Sequence, residues 1–181
     1  VAANRLRAAP LFHGAYARRI VPFDCANGAR LGALTASGIR DLAPRMMMDA
    51  IRDLAAVRAA CADAPLVTEC KLLAPLPRTP KNIFCVGKNY HEHAKEFANS
   101  GFDATAKEVV PEHPVVFTKQ PTSVSGPGDV IPAHLDDTNS VDYEGELAVI
   151  IGKGGRGISR TAAMDHVFGY TIVNDVTSRL L

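Results

Sequence analysis

The sequence predicts an α+β chain that is mainly β. Runs of β-branched and apolar residues with period two recur along most of its length, and clusters of Gly, Pro, Asn and Ser separate them. Helical spacing is confined to a few segments, so the helices are expected to cover strands rather than form a bundle. Three closely spaced prolines, Pro75, Pro77 and Pro80, fix φ and remove donors, which marks a stiff linker. A small β-rich N-terminal module over residues 1–74 and a second region over 75–181 are therefore expected.

Taken in order, Val1 to Ala17 is rich in Ala and Arg without turn signals and is assigned to no element. Arg18 to Phe23 and Arg30 to Thr35 flank Asn27-Gly28, the pairing expected of a hairpin. Met47, Ala50, Ile51, Leu54, Val57 and Cys61 recur at steps of three and four, one face of an amphipathic helix laid over those strands. The run Met46 to Met48 reads as core filling rather than a metal box. Asn82 to Gly87 and Val115 to Lys119 are two further short strands. Between them, Lys88 to Phe97 is compatible with helix, and Asn99 to Pro114 is long enough for a lid or a short insertion. Gly152 to Gly157 lacks the spacing of a phosphate-binding loop and reads as a flexible connection. A helix capped by Ser159 or Thr161 follows, with Ala163, Met164, Val167 and Phe168 expected inward and His166 structural.

The 181 residues carry a formal net charge of +1 with both signs interspersed, so no basic face for nucleic acid or an anionic membrane stands out. A small-molecule partner is expected. No apolar run approaches the roughly 20 residues of a membrane span, and the first residues hold no apolar signal core, which makes a cytoplasmic location the expectation. Cys25, Cys61, Cys70 and Cys85 show no C-x-x-C spacing and read as buried free thiols, with neither a disulfide framework nor a zinc site.

Chemistry concentrates in Val141 to Gly152, read as one strand. Alternation puts Val141, Tyr143, Leu147, Val149 and Ile151 on a core-forming face and Asp142, Glu144 and Glu146 on the other. Aligned carboxylates repel one another and call for a cation, which no Lys or Arg within the segment supplies. All-oxygen donors suit Mg2+, Mn2+ or Ca2+ better than zinc. A Glu-x-Glu pair also fits the wet face of an edge strand. Asp175, ending the β-rich run Tyr170 to Val176, is a natural third ligand and tips the reading toward a metal. His93 and Glu96 stand three apart and share a helical face, as a carboxylate-oriented general base requires, although a surface ion pair has the same spacing. Lys119, at a strand end, is placed to meet an anionic substrate or to remain solvated.

These segments together resemble the fumarylacetoacetate hydrolase family, in its shorter branch of acylpyruvate hydrolases, isomerases and oxaloacetate decarboxylases. The resemblance runs from about Arg30 to Arg179. It rests on Ile83-Phe-Cys-Val-Gly-Lys-Asn-Tyr-His-Glu-His, Phe117-Thr-Lys-Gln-Pro, Gly126-Pro-Gly-Asp, Asp142-Tyr-Glu-Gly-Glu-Leu-Ala-Val-Ile-Ile-Gly and Gly169-Tyr-Thr-Ile-Val-Asn-Asp-Val-Thr-Ser-Arg, in the family's order. It implies a mixed β-sandwich roll preceded by a small β-rich module, usually dimeric. It implies Glu144, Glu146 and Asp175 as ligands of Mg2+ or Mn2+, His93 and Glu96 as the water-activating dyad, and Arg179 as a substrate contact. The implied activity is hydrolysis of a carbon–carbon bond in a 2-oxo acid such as an acylpyruvate or fumarylpyruvate. Decarboxylation, isomerisation or hydration of a 2-oxo diacid is the alternative. Where the family continues with Asp-Leu-Gln after the last motif, this sequence reads Leu180-Leu181, so the roll is expected to be incomplete and an inactive fragment is a further alternative.

Overall fold

The computed structural model describes residues 19–26, 28–43, 45–67, 69–90 and 111–180. They fall into two compact units: one holds the chain through Pro77 with Ser125–Asp129 and Leu147–Thr171, the other holds Arg78–Val124, Val130–Glu146 and Ile172–Leu181. Its elements are mainly strands, as the sequence predicts.

The first unit is built on an antiparallel sheet. Strands β1 (Arg19–Cys25) and β2 (Gly28–Thr35) form the expected hairpin, closed by Gly28 at φ 85°, a left-handed conformation that favours glycine. With β3 (Gly38–Asp41), β4 (Leu66–Val67) and β5 (Lys71–Leu72) the order is β4-β3-β2-β1-β5. Phe23, Leu31 and Leu42 are fully buried. Gly32 is required beside Phe23, because a Cβ there would collide with Ile39 and stand 2.9 Å from the Phe23 ring. Arg30 and Asp41 pair at 2.9 Å across β2 and β3.

The helical face lands where its spacing predicts, with Met47, Ala50 and Val57 packed among Leu31, Ala33 and Leu42. The helix is nevertheless two pieces, α1 (Met47–Arg52) and α2 (Leu54–Ala60). Asp53 divides them because its carboxylate accepts the Ala56 N–H at 2.9 Å and caps a new helix instead of continuing the old one.

Val141 to Gly152 is likewise interrupted: β8 is Val141–Asp142 and β9 is Gly145–Ile151, with Tyr143 and Glu144 between them. The face expected to build a core is open, Leu147 and Ile151 being 55% and 60% exposed. Strand β10 (Val167–Asn174) pairs with β9. Gly152 passes so close to Phe168 that a Cβ would lie 2.9 Å from its Cβ, and Phe168 packs on the buried cluster. Ser159 caps Arg160–His166 as expected, by accepting the Ala162 N–H. That segment is a 3-10 helix, however, with three residues per turn, so α-helical spacing does not select its inner face. Ala163 and Met164 are exposed, contrary to expectation. Of the cysteines, Cys70 is exposed and the other three are half-buried, short of the full burial expected. All four are free.

In the second unit β6 (Ile83–Gly87) and β7 (Val115–Lys119) pair antiparallel with Cys85 opposite Phe117 and Ile83 opposite Lys119. Strand β8 pairs with β11 (Thr177–Ser178), Asp142 facing Thr177. The loop before β8 is organised by Asp136, whose carboxylate accepts Thr138 N–H and Oγ1 and Ser140 N–H. The segment Asn99 to Pro114, read as a lid, lies outside the described residues up to position 110. No helix among the described residues is long and apolar enough to cross a membrane.

Candidate metal and substrate site

The acids named from the sequence sit where the β8–β11 ladder runs on past its paired residues. Asp175 N–H donates to the Glu144 carbonyl at 2.8 Å and Arg179 N–H to the Ser140 carbonyl at 3.2 Å, in the same register that sets Asp142 against Thr177. Glu144 therefore stands directly opposite Asp175. Side chains at opposed positions, and at steps of two along each strand, share a face, so Asp142, Glu144, Asp175 and Arg179 lie together. The Asn174 side-chain carbonyl accepts the Glu144 N–H at 2.9 Å and holds the break between β8 and β9.

Like charges directly opposite are destabilising, and two cations from the chain answer them. Arg179 Nη1 reaches Glu144 Oε1 at 2.6 Å, and its Nη2 reaches Asp142 Oδ2 at 2.9 Å. Lys119 Nζ lies 2.8 Å from Asp175 Oδ1 and donates to the Val176 carbonyl at 3.2 Å. Burial works against the Arg179 charge, but the hydrogen bonds to Asp142 and Glu144 outweigh it and hold the guanidinium above the ordinary arginine value. Neither cation pairs with Glu146 in the described ion pairs.

Cys85 was not among the sequence candidates. Paired Ile83 and Lys119 stand two residues along from paired Cys85 and Phe117, which puts the thiol and Lys119 diagonally on one face of β6–β7. Burial raises its pKa, the charge of Asp175 raises it further, and the Lys119 ammonium offsets part of that rise. The thiol thus marks where an acid named from the sequence comes within electrostatic reach of β6. Period two in Ile83-Phe-Cys was the sequence signal for it.

The donor set is all oxygen and fits a hard divalent cation, with Glu144, Glu146 and Asp175 as the side chains able to hold one. No three His, Cys, Asp or Glu side chains among the described residues are gathered tightly enough to hold a metal as they stand, and Arg179 and Lys119 pair with Glu144 and Asp175. His93 and Glu96, the candidate base and its partner, lie outside the described residues.

Comparisons with known proteins bear on the family and the fold. The family model described as fumarylacetoacetate (FAA) hydrolase C-terminal matches residues 82–181. The oxaloacetate tautomerase YisK of Bacillus subtilis is 55% identical over 113 residues, which is 62% of this chain and 35% of that protein. The fumarylacetoacetate hydrolase of Exiguobacterium antarcticum superposes with a TM-score of 0.66 at 38% identity, over 88% of this chain and 56% of that one. The maleylpyruvate hydrolase of Sphingobium sp. SYK-6, solved with manganese (II) ion and pyruvate, does so at 0.64 and 30% identity, over 90% and 60%. The chain spans about a third of the length of the curated relatives it matches. With the family model covering more than half of the sequence, on the segments that carry the acids and their cations, the chain belongs to the fumarylacetoacetate hydrolase family.

Proposed function

We propose that the protein carrying this chain is a divalent-metal-dependent enzyme that cleaves a carbon–carbon bond of a 2-oxo acid such as an acylpyruvate by hydrolysis. The observation that supports it is the opposition of Glu144 and Asp175 across one ladder, with Arg179 and Lys119 paired to them. Bound Mg2+ or Mn2+ would supply Lewis acidity toward the oxygens of a 2-oxo acid. Glu144, Glu146 and Asp175 would hold it. Lys119 and Arg179, released from their carboxylates, would turn to the anionic groups of the substrate. His93, oriented by Glu96, would take the proton of the attacking water.

A second reading, keto–enol interconversion of an oxaloacetate-like diacid, is favoured by the 55% identity to a tautomerase. It needs the same carboxylates and cations but no hydrolytic water. Decarboxylation of the same diacids is separated by the same test.

Glu146→Gln in the purified protein should weaken Mn2+ binding at least about tenfold by calorimetry and remove metal-dependent turnover; unchanged binding refutes the ligand assignment. His93→Ala then divides the readings. Loss of acylpyruvate hydrolysis is expected of the first, whereas a wild-type protein that interconverts oxaloacetate tautomers and never hydrolyses acylpyruvates establishes the second. A cytoplasmic homodimer with a separate module over residues 1–74 belongs to the same proposal. Sedimentation and limited proteolysis near Pro75 to Pro80 test its last two parts.

A further inference from the structure

The β1–β5 ladder carries a feature remote in sequence from the acids. Phe23 pairs with Leu72 and Asp24 with Lys71, and Leu73 N–H donates to the Pro22 carbonyl at 3.0 Å. Continued by one residue, this register sets Cys25 opposite Cys70. Hydrogen-bonded and non-hydrogen-bonded pairs alternate along an antiparallel ladder. Pro22 with Leu73 is of the first kind, so Phe23 with Leu72 is of the second, Asp24 with Lys71 of the first and Cys25 with Cys70 of the second. At non-hydrogen-bonded pairs the Cα atoms stand about 4.5 Å apart and the side chains are closest. That separation lies within the roughly 4.4–6.8 Å over which a disulfide forms.

Both thiols are free, Cys25 half-buried and Cys70 exposed. Cys25 lies two residues beyond Phe23 and so shares its face, on the side of the sheet opposite Leu31 and Ala33. Burial and then the neighbouring Cys25 raise the Cys70 thiol, as expected of two thiols in close company. Cys61, at the end of α2, and Cys85, opposite Phe117, have no such partner in register.

We propose that Cys25 and Cys70 form a reversible cross-strand disulfide, a redox clasp that ties the β1–β2 hairpin to β5 when a small-molecule disulfide such as oxidised glutathione is supplied. One cysteine thiolate attacks a sulfur of the small disulfide and expels a thiolate, which takes up a proton. The second cysteine thiolate attacks the protein sulfur of that mixed disulfide, forming the Cys25–Cys70 bond and releasing a second small thiol. The protein gives up two hydrogens and two electrons, and the small disulfide, reduced to two thiols, accepts them. The bond closes a loop holding β2, β3, α1, α2 and β4, so the oxidised form resists unfolding. Its exposure places it among the disulfides that reductants reopen.

The full chain is incubated with oxidised glutathione, remaining thiols are alkylated, and peptides are mapped by mass spectrometry without reduction. The expected result is one cross-link, between the peptides of Cys25 and Cys70, lighter by two hydrogens and reversed by dithiothreitol. A rise in Tm of about 5 °C or more accompanies it. The cross-link and the rise disappear in Cys25→Ser and in Cys70→Ser and persist in Cys61→Ser and Cys85→Ser. A stable mixed disulfide at Cys70 in place of the cross-link, a dimer bridged through Cys70, or a bond to Cys61 or Cys85 overturns the proposal. The wild-type map decides this even where a serine variant fails to fold.

Discussion

Among the described residues, the chain through Ala74 contains every fully buried hydrophobic side chain, from Phe23 and Leu31 to Ala64 and Ala74, whereas the described part of Pro75 to Leu180 adds only partly buried ones such as Leu76 and Phe168. The first region stabilises itself by apolar burial around a regular sheet. The second is held by ladders and ion pairs and leaves many of its apolar side chains in the open, Phe84 at 71% exposed being one of them. Binding chemistry sits in the second, where carboxylates opposed across β8–β11 are balanced by Lys119 and Arg179 rather than sealed in a core. The contrast teaches that the scaffold and the site draw on different forces. Each therefore has its own signature under mutation, temperature and salt.

Leu31→Ala is the strongest test of that division. Leu31 is fully buried and touches both sheet and helices, so its truncation should cost about 3 kcal/mol, read from urea unfolding. A loss below about 1 kcal/mol would break the comparison at its first member, since the first region would then not depend on its core.

Arg179→Ala comes next. It removes pairs to Asp142 and Glu144 and leaves Glu144 facing Asp175 with one cation fewer, so a loss of about 1–3 kcal/mol is expected. Raised salt should shrink the difference between wild type and variant, because these groups are partly solvated. Leu31→Ala should show no such salt dependence. Equal behaviour of the two variants in salt would erase the distinction between a core-held and a charge-held region.

How much of this was legible depends on the distance over which each feature is set. The β1–β2 hairpin was readable because Asn27-Gly28 and the alternation on either side are local. The inner face of α1 and α2 was readable for the same reason, but the break at Asp53 was not. An Asp within a periodic run is ambiguous until its carboxylate is seen on Ala56 N–H. Within the site, the sequence named Glu144 and Asp175 as residues of two segments. It did not contain their register, which is fixed by pairing between chain segments some thirty positions apart. Nor did it reveal that Arg179 and Lys119 would be turned onto the acids, since the partner of a long cationic side chain is decided by tertiary placement. The apolar face of β9 was misjudged for a further reason: period two says which residues share a face, not whether anything covers it.

Phe84→Ala sharpens the comparison from the other side. At 71% exposed it should change stability by less than about 0.5 kcal/mol. Phe84, Val86 and Val116 share the outer face of β6–β7, so a loss of about 2 kcal/mol instead would show that this face is covered in solution.

The smallest expected effect lies in acid, at Asp136. Hydrogen bonds from Thr138 Oγ1 and from the Thr138 and Ser140 N–H groups stabilise the ionised carboxylate, and its pKa is lowered from 3.8 to about 2. A carboxylate whose folded pKa is depressed binds fewer protons in the native than in the unfolded state between those values, so stability rises with pH through that window. The contribution is fully present above about pH 4 and is lost as pH falls toward 2. Asp136→Asn keeps the shape, removes the titration, and should flatten that part of the stability curve while leaving its shape above pH 5 unchanged. Urea midpoints at half-unit steps between pH 2 and 6, wild type against variant, measure it directly. Parallel curves throughout would mean that the loop feeding β8 is held by something other than the Asp136 charge, and the second region would lose one of its electrostatic supports.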